Sequence, residues 1–235
     1  MGKVVVFPKA PEPREREEAQ ATATGFYTPA EAARIARVPR HRLDAWRREG
    51  IIIPAISVVD FGGDEETGYT FQALVYLRVI RMLRDHVPLE KAVVAVQHLR
   101  DRFGAPGPNW ADARILLSTG DVYAIRKDEW QVTVATRHGQ KAAIELLFEE
   151  EFDQLRERAD ALLVPRRYQP FVEVDPSVRS GQPIVRETTI QTLVLYKLRL
   201  KRYGYARIRE EYPVLTLDQI RGAIGYERFL DAEAA

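Results

Sequence analysis

The sequence predicts a mainly helical α+β protein with a small share of antiparallel sheet. Three observations carry that expectation. Two S/T-x-x-E/Q capping boxes, Thr28 to Glu31 and Thr216 to Gln219, each stand before an apolar run. Apolar residues recur at helical spacing through Leu89, Ala92, Val93, Val96, Leu99 and Phe103. Between these helical ends, Ile115 to Leu117, Val122 to Ile125 and Trp130 to Ala135 read as short strands separated by Thr119-Gly120-Asp121 and Lys127-Asp128-Glu129 turns.

Residues 1–25 read as a flexible N-terminal arm. Pro8, Pro11 and Pro13 break periodicity, and the Arg14 to Glu18 run is mixed in charge. Val4 to Phe7 could instead add a short strand to a partner's sheet. A first unit spans 26–104. Thr28 caps a short helix with proline at its first position, Arg37-Val38-Pro39 makes a turn, and a second helix from about Arg40 stops at Gly50. Leu43 and Trp46 fall on its buried face, and Arg40, Arg47 and Arg48 point outward, which is helix-turn-helix spacing. Residues 55–68 form a hairpin or wing, Thr70 caps a third helix, and Pro88 opens a fourth. The unit ends at Gly104-Ala105-Pro106-Gly107-Pro108.

A second unit, 109–164, reads as a three-stranded meander followed by an amphipathic helix from Ile144 to Leu162 with an acidic outer face. A third, 165–235, is a small helical, helix-turn-helix-like module. Pro165 and Pro170 bracket the linker into it. Helices are expected from about Gln191 to Tyr203, over Ala206 to Tyr212, and from Thr216 onward with Leu217, Ile220, Ala223 and Ile224 as the buried stripe.

The net charge of +1 is uninformative, but its distribution is not. Residues 26–50 hold six Arg against three acids, and 164–209 hold ten Lys or Arg against three acids. Residues 145–160 between them hold seven acids against two Arg. Two basic units flanking an acidic one suit nucleic acid or an acidic protein surface. Cysteine is absent, which removes disulfides, thiolate metal sites and cysteine nucleophiles. The apolar runs fall short of the roughly 20 residues that a membrane helix needs, so a cytoplasmic protein is expected. His41, His86, His98 and His138 lack metal-ligand spacing. Glu149, Glu150 and Glu151 are consecutive on a helix and point apart. No G-x-x-x-x-G-K-[ST] loop or G-x-S-x-G elbow occurs. No catalytic residue, metal or cofactor is expected, and the chain reads as a binding protein. Of the tryptophans, Trp46 belongs to the core stripe, and Trp110, beside Pro108 and Asn109, is the better exposed anchor for a partner.

Residues 26–103 resemble the DNA-binding half of MerR-type regulators. The resemblance rests on Tyr27-Thr28, Glu31-Ala32-Ala33, Leu43, Arg48-Glu49-Gly50, Pro54, Gly68-Tyr69-Thr70, Leu77, Ile80, Leu83-Arg84 and Pro88-Leu89. It implies a second helix in the major groove and a wing on phosphates. The DNA-facing residues would be Arg40, His41, Arg42, Arg47 and Arg48, with Tyr69 near the wing. Asp44 and Ala45 stand where that family usually has an arginine and an aromatic. The family's long dimerisation helix and effector cysteines are missing, so drug or metal sensing is not expected.

Residues 171–229 resemble an antitoxin module, domain of unknown function 433. Its marks are Asp175-Pro176, Gly181-Gln182-Pro183, Thr188, Ile190, Tyr212-Pro213, Leu215-Thr216, and Ala223-Ile224 with Tyr226. Glu187 takes a place that family commonly gives to glycine. The two modules in this order resemble VapB-type antitoxins. That resemblance implies a PIN-domain ribonuclease toxin as partner and operator DNA as a second partner. It also implies a homodimer or a hetero-oligomer with the toxin. Arg166, Arg167, Arg179, Arg186, Lys197, Lys201, Arg202 and Trp110 are the candidate toxin contacts, because a guanidinium fork suits the acidic metal cluster of such a toxin. The alternatives are a stand-alone MerR-like transcriptional regulator and a scaffold with no nucleic-acid role.

Overall fold

The computed structural model describes residues 25–54, 56–59, 65–118, 121–126 and 144–234. The arm expected over 1–25 therefore lies outside the described residues except for Gly25, as does the strand expected at Trp130 to Ala135.

Helix α1 (Pro29–Ala36) starts on the expected box: the Thr28 amide donates to Glu31 Oε2 at 2.9 Å, and the Glu31 amide donates to Thr28 Oγ1 at 3.3 Å. It ends at Arg37, which takes the left-handed conformation at φ 58° and turns the chain into α2 (Arg40–Arg48). Leu43 and Trp46 are the residues α2 buries against α1. Strands β1 (Ile56–Val59) and β2 (Glu65–Gly68) pair antiparallel, from Ile56 opposite Gly68 to Val59 opposite Glu65. The wing is thus present. Its exit is tied to the entry of α1 by a two-bond bridge, Tyr27 N to Tyr69 O at 3.0 Å and the reverse at 2.9 Å. Helix α3 (Phe71–Leu83) is capped by Thr70 and buries nine of its residues, so it is the central strut. Helix α4 (Leu89–Phe103) packs along it.

A 3-10 turn, Pro108–Asp112, leads into β3 (Ala113–Ser118), paired to β4 (Asp121–Arg126). The third strand of this sheet is β5 (Ile144–Leu147), and the strand order is β4-β3-β5. Among the described residues β5 pairs with the edge of β3 opposite β4, while the third strand of the expected meander, Trp130 to Ala135, lies outside the described residues. The β5 pairing also shortens the expected Ile144 to Leu162 helix. Ile144 to Leu147 pairs with Ser118 to Ile115, Phe148 turns through φ 58°, and only α5 (Glu149–Gln154) is helical. Sheet pairing satisfies the backbone of that run and leaves Leu147 buried beside Ile115.

Turns from 155 to 171 follow. They are pinned by Arg158, which pairs with Asp160 and donates to the carbonyls of Gln169 (2.8 Å) and Val172 (3.0 Å). Short strands β6 (Val172–Glu173) and β7 (Ile184–Val185) pair antiparallel. Helices α6 (Thr192–Leu200), α7 (Tyr205–Glu211) and α8 (Leu217–Ala234) complete the chain. The second capping box starts α8: Thr216 N donates to Gln219 Oε1 at 2.9 Å, and Gln219 N to Thr216 Oγ1 at 3.2 Å. Glu187 sits at φ 62°, the backbone region for which glycine is the natural choice.

Two apolar cores result. The small one joins Val185, Ile190, Leu195, Ile208, Leu215, Ile220, Ala223 and Ile224 within the last module. The large one runs from Tyr27 through α3 and α4 to Tyr226 and Leu230 at the far end of α8. Helix α8 therefore belongs to both, and burying Leu230 contributes about 1.5–3 kcal/mol to fastening the ends of the chain together.

Candidate nucleic-acid interface

Helix α2 carries the candidate interface. Its apolar side is fixed by Leu43 and Trp46, so helical spacing turns Arg40, His41, Arg42, Arg47 and Arg48 to solvent, and all five are exposed. The surface is not uniformly cationic. Arg40 Nε lies 3.1 Å from Asp44 Oδ2, one turn along, and Arg48 Nε donates to the Asp44 carbonyl at 3.3 Å. Asp44 thus spends part of the helix's positive charge and adds a carboxylate to its outer face. The two-stranded β1-β2 wing is tied to the entry of α1, the first helix of the pair, through the Tyr27–Tyr69 bridge.

Tyr69 corrects the expectation. It is 1% exposed and belongs to the large core, so its side chain is not part of the exposed surface. Burial pushes its hydroxyl above the usual tyrosine range, against the opposing influence of Arg47 and Arg40. Trp110 is corrected in the same way. It is fully buried, stacks on Phe152 at 6.3 Å between ring centroids, and donates its indole N–H to Gly104 O at 3.1 Å. A 3-10 turn folds it inward, which the neighbouring prolines do not reveal.

The basic residues expected at a partner surface in the last third divide into two groups. Lys197, Lys201 and Arg202 are exposed on and just beyond α6, beside exposed Leu200 and Val194. The others have structural partners. Arg167 lies over the rings of Tyr168 and Phe229 at 4.8 and 4.9 Å. Arg186 donates to Gln169 O at 3.1 Å, and Arg179 Nε donates to Thr189 O at 3.1 Å. Arg166, exposed, pairs with Glu150 at 2.9 Å.

A seam between the first and last units escaped the sequence. Tyr27, buried, donates its hydroxyl to Gly181 O at 2.8 Å, and Phe26 N donates to Ser180 O at 3.0 Å. Arg34 on α1 reaches Glu227 Oε2 at 2.6 Å and Asp231 Oδ1 at 2.8 Å on α8. Thr192 donates its hydroxyl to the same Glu227 carboxylate. Residues 154 positions apart give no local signal of such a contact.

The fold and this exposed helix define a winged helix-turn-helix unit joined to a small helical module. Residues 27–90 match the family described as MerR HTH family regulatory protein, and residues 172–226 match one described as protein of unknown function, DUF433. The chain carries a MerR-family helix-turn-helix domain at its N-terminal end and a DUF433 domain at its C-terminal end. No curated protein matches the chain. Among solved structures it is similar to the X-ray crystal structure of Rv2018 from Mycobacterium tuberculosis, with TM-score 0.51 and 17% identity over 84% of this chain and 96% of that one. At that identity the likeness concerns the fold alone. Among the described residues no helix is long and apolar enough to cross a membrane.

Proposed function

We propose that the chain is a DNA-binding regulator and not an enzyme, with α2 entering the major groove and the wing reaching the flanking backbone. The observation that carries this is the exposed row Arg40, His41, Arg42, Arg47 and Arg48 on the second helix of the helix-turn-helix. Such a surface binds phosphates by releasing counterions, so log affinity should fall against log salt with a slope of roughly −0.9 per phosphate contacted. Fluorescence anisotropy against a duplex carrying the upstream region of its own operon tests it. Arg40→Glu with Arg48→Glu should lower affinity by about a hundredfold and flatten the slope by about two. Unchanged affinity or slope would remove α2 as the reader.

A second reading adds to the first: an antitoxin that binds a PIN-domain ribonuclease and represses its own operon with it. The exposed Lys197, Lys201 and Arg202 beside exposed Leu200 support it, since a cationic edge with an apolar neighbour suits an acidic metal-binding cleft. Co-expression with the adjacent open reading frame decides it. Toxicity rescued by this chain, and lost for Lys197→Glu with Lys201→Glu, is the expected outcome; a harmless neighbour or no co-purification sinks it.

A further inference from the structure

Beneath the reader, a cavity of about 160 Å³ opens between α1, α3, α5 and the turns at 161–169. Two arginines from different elements face it, Arg37 at the end of α1 and Arg78 in the middle of α3. Arg37 is only 7% exposed. One arm of its fork donates to Leu162 O at 2.7 Å, and its guanidinium lies 5.5 Å from the Phe229 ring centre. Its Nε is sealed from solvent and has no partner, and the same holds for Arg78 Nε. Arg78 as a whole is half-buried and lines the cavity, with its Nε closed off.

Neither guanidinium has a carboxylate within ion-pair distance among the described residues. The charges that act on Arg78 are Arg37 and Arg81, which oppose it, and Glu233 and Asp85, which only partly offset them. The cavity rim holds Glu150, already paired with Arg166 at 2.9 Å, and the exposed Glu151. Three arginines against two glutamates leave the lining net positive. Burial, with Arg37 alongside, pushes Arg78 down to about 9. A guanidinium keeps its proton in proteins, so two like charges lining one cavity favour a counter-anion over deprotonation.

We propose that this cavity binds a small oxyanion, a phosphate or a carboxylate, gripped by the fork of Arg78 and the remaining arm of Arg37. Planar guanidinium forks take two oxygens of such a group at once, which a monatomic anion cannot offer. The site is independent of the DNA-facing surface, since neither arginine is on α2.

The test is thermal unfolding and calorimetric titration of the full chain with inorganic phosphate and, separately, with malonate, chloride holding the ionic strength constant. One of the two should raise the melting temperature by about 5 °C at a hundredfold excess over Kd. Which one does so identifies the source of the oxyanion. Arg78→Met should abolish the shift and be at least as stable as the parent in chloride alone, because it removes an unpaired buried charge. Arg78→Lys keeps the charge without the fork and should weaken binding at least tenfold, which covers the case where Arg78→Met fails to fold. The proposal is overturned if neither anion does more than chloride, or if Arg78→Met keeps the full shift, or if Arg78→Lys binds as tightly as the parent.

Discussion

Helix α2 and the turns around 165–187 are both rich in arginine, yet they use it in opposite ways. On α2 the backbone satisfies itself, so the side chains are left to solvent; Arg42 and Arg47 stand clear, and only Asp44 engages Arg40. In the turns the backbone carbonyls have no ladder to bond to, and arginines supply the missing donors. Arg158 serves Gln169 and Val172, Arg186 serves Gln169, and Arg179 serves Thr189. A count of basic residues is therefore a poor guide to a binding surface. The cations on the outer face of α2 remain available, whereas Arg179 and Arg186 of the 165–187 turns serve backbone carbonyls and become part of the scaffold.

The strongest way to break this pairing of regions is at the seam that joins them. Gly181 sits at φ +84°, and a Cβ there would lie 1.9 Å from the Tyr27 hydroxyl and 2.6 Å from its Cζ. Gly181→Ala should cost about 3 kcal/mol or more in urea unfolding, since a rigid buried ring must move and the backbone is strained as well. Tyr27→Phe alone removes one hydrogen bond and should cost about 1 kcal/mol. Combining the two should cost less than their sum, because the hydroxyl that clashes is gone. Strict additivity would show that the seam does not couple the two ends.

Local chemistry made much of this molecule legible in advance. The two capping boxes, the stop at Gly50 and the proline-bounded ends of α4 and α7 are short-range devices, and each stands where its residues place it. What escaped was non-local. Ile144 to Leu147 fits a helical stripe and a strand equally well, and only the free edge of β3 decides between them. The flanks of Trp110 suggest a loop, yet Phe152, from α5, supplies the surface that buries it. Tyr69 carries the right motif for a wing, but its ring points into the core. Arg37 and Arg78 look like two more surface cations until α3 and the 161–169 turns close over them.

A smaller effect sharpens the contrast between available and committed charge. Asp44→Ala frees Arg40 and removes a carboxylate from the face of α2. It should raise DNA affinity about fivefold, which is the roughly 1 kcal/mol expected of one exposed charge near phosphates. Arg166→Glu, one residue from the committed Arg167 and fully outside the reader, should leave DNA affinity within about twofold. A loss of affinity for Arg166→Glu that exceeds the gain for Asp44→Ala, in the same anisotropy assay, would mean that net charge, and not the α2 surface, governs binding.

The smallest expected effect lies at the buried end of the seam. Burial holds the Glu227 carboxyl above its usual range, even though Arg34 at 2.6 Å and the Thr192 hydroxyl both favour the charged form. The same pairing raises Arg34, so the ion pair is real, but desolvation of the carboxylate outweighs it. A folded value above the unfolded one, about 4.3 for glutamate, gives a contribution that is complete below that unfolded value and is lost as pH rises through the folded one. Glu227→Gln keeps the shape and an acceptor for Thr192, but it has no proton to lose. Between pH 4 and pH 7 the parent should therefore lose stability relative to Glu227→Gln, by less than about 1 kcal/mol, as measured by urea unfolding of both proteins at each pH. A difference that stays flat, or that moves in favour of the parent as pH rises, would show that Arg34 outweighs burial and that the seam is held by its charge.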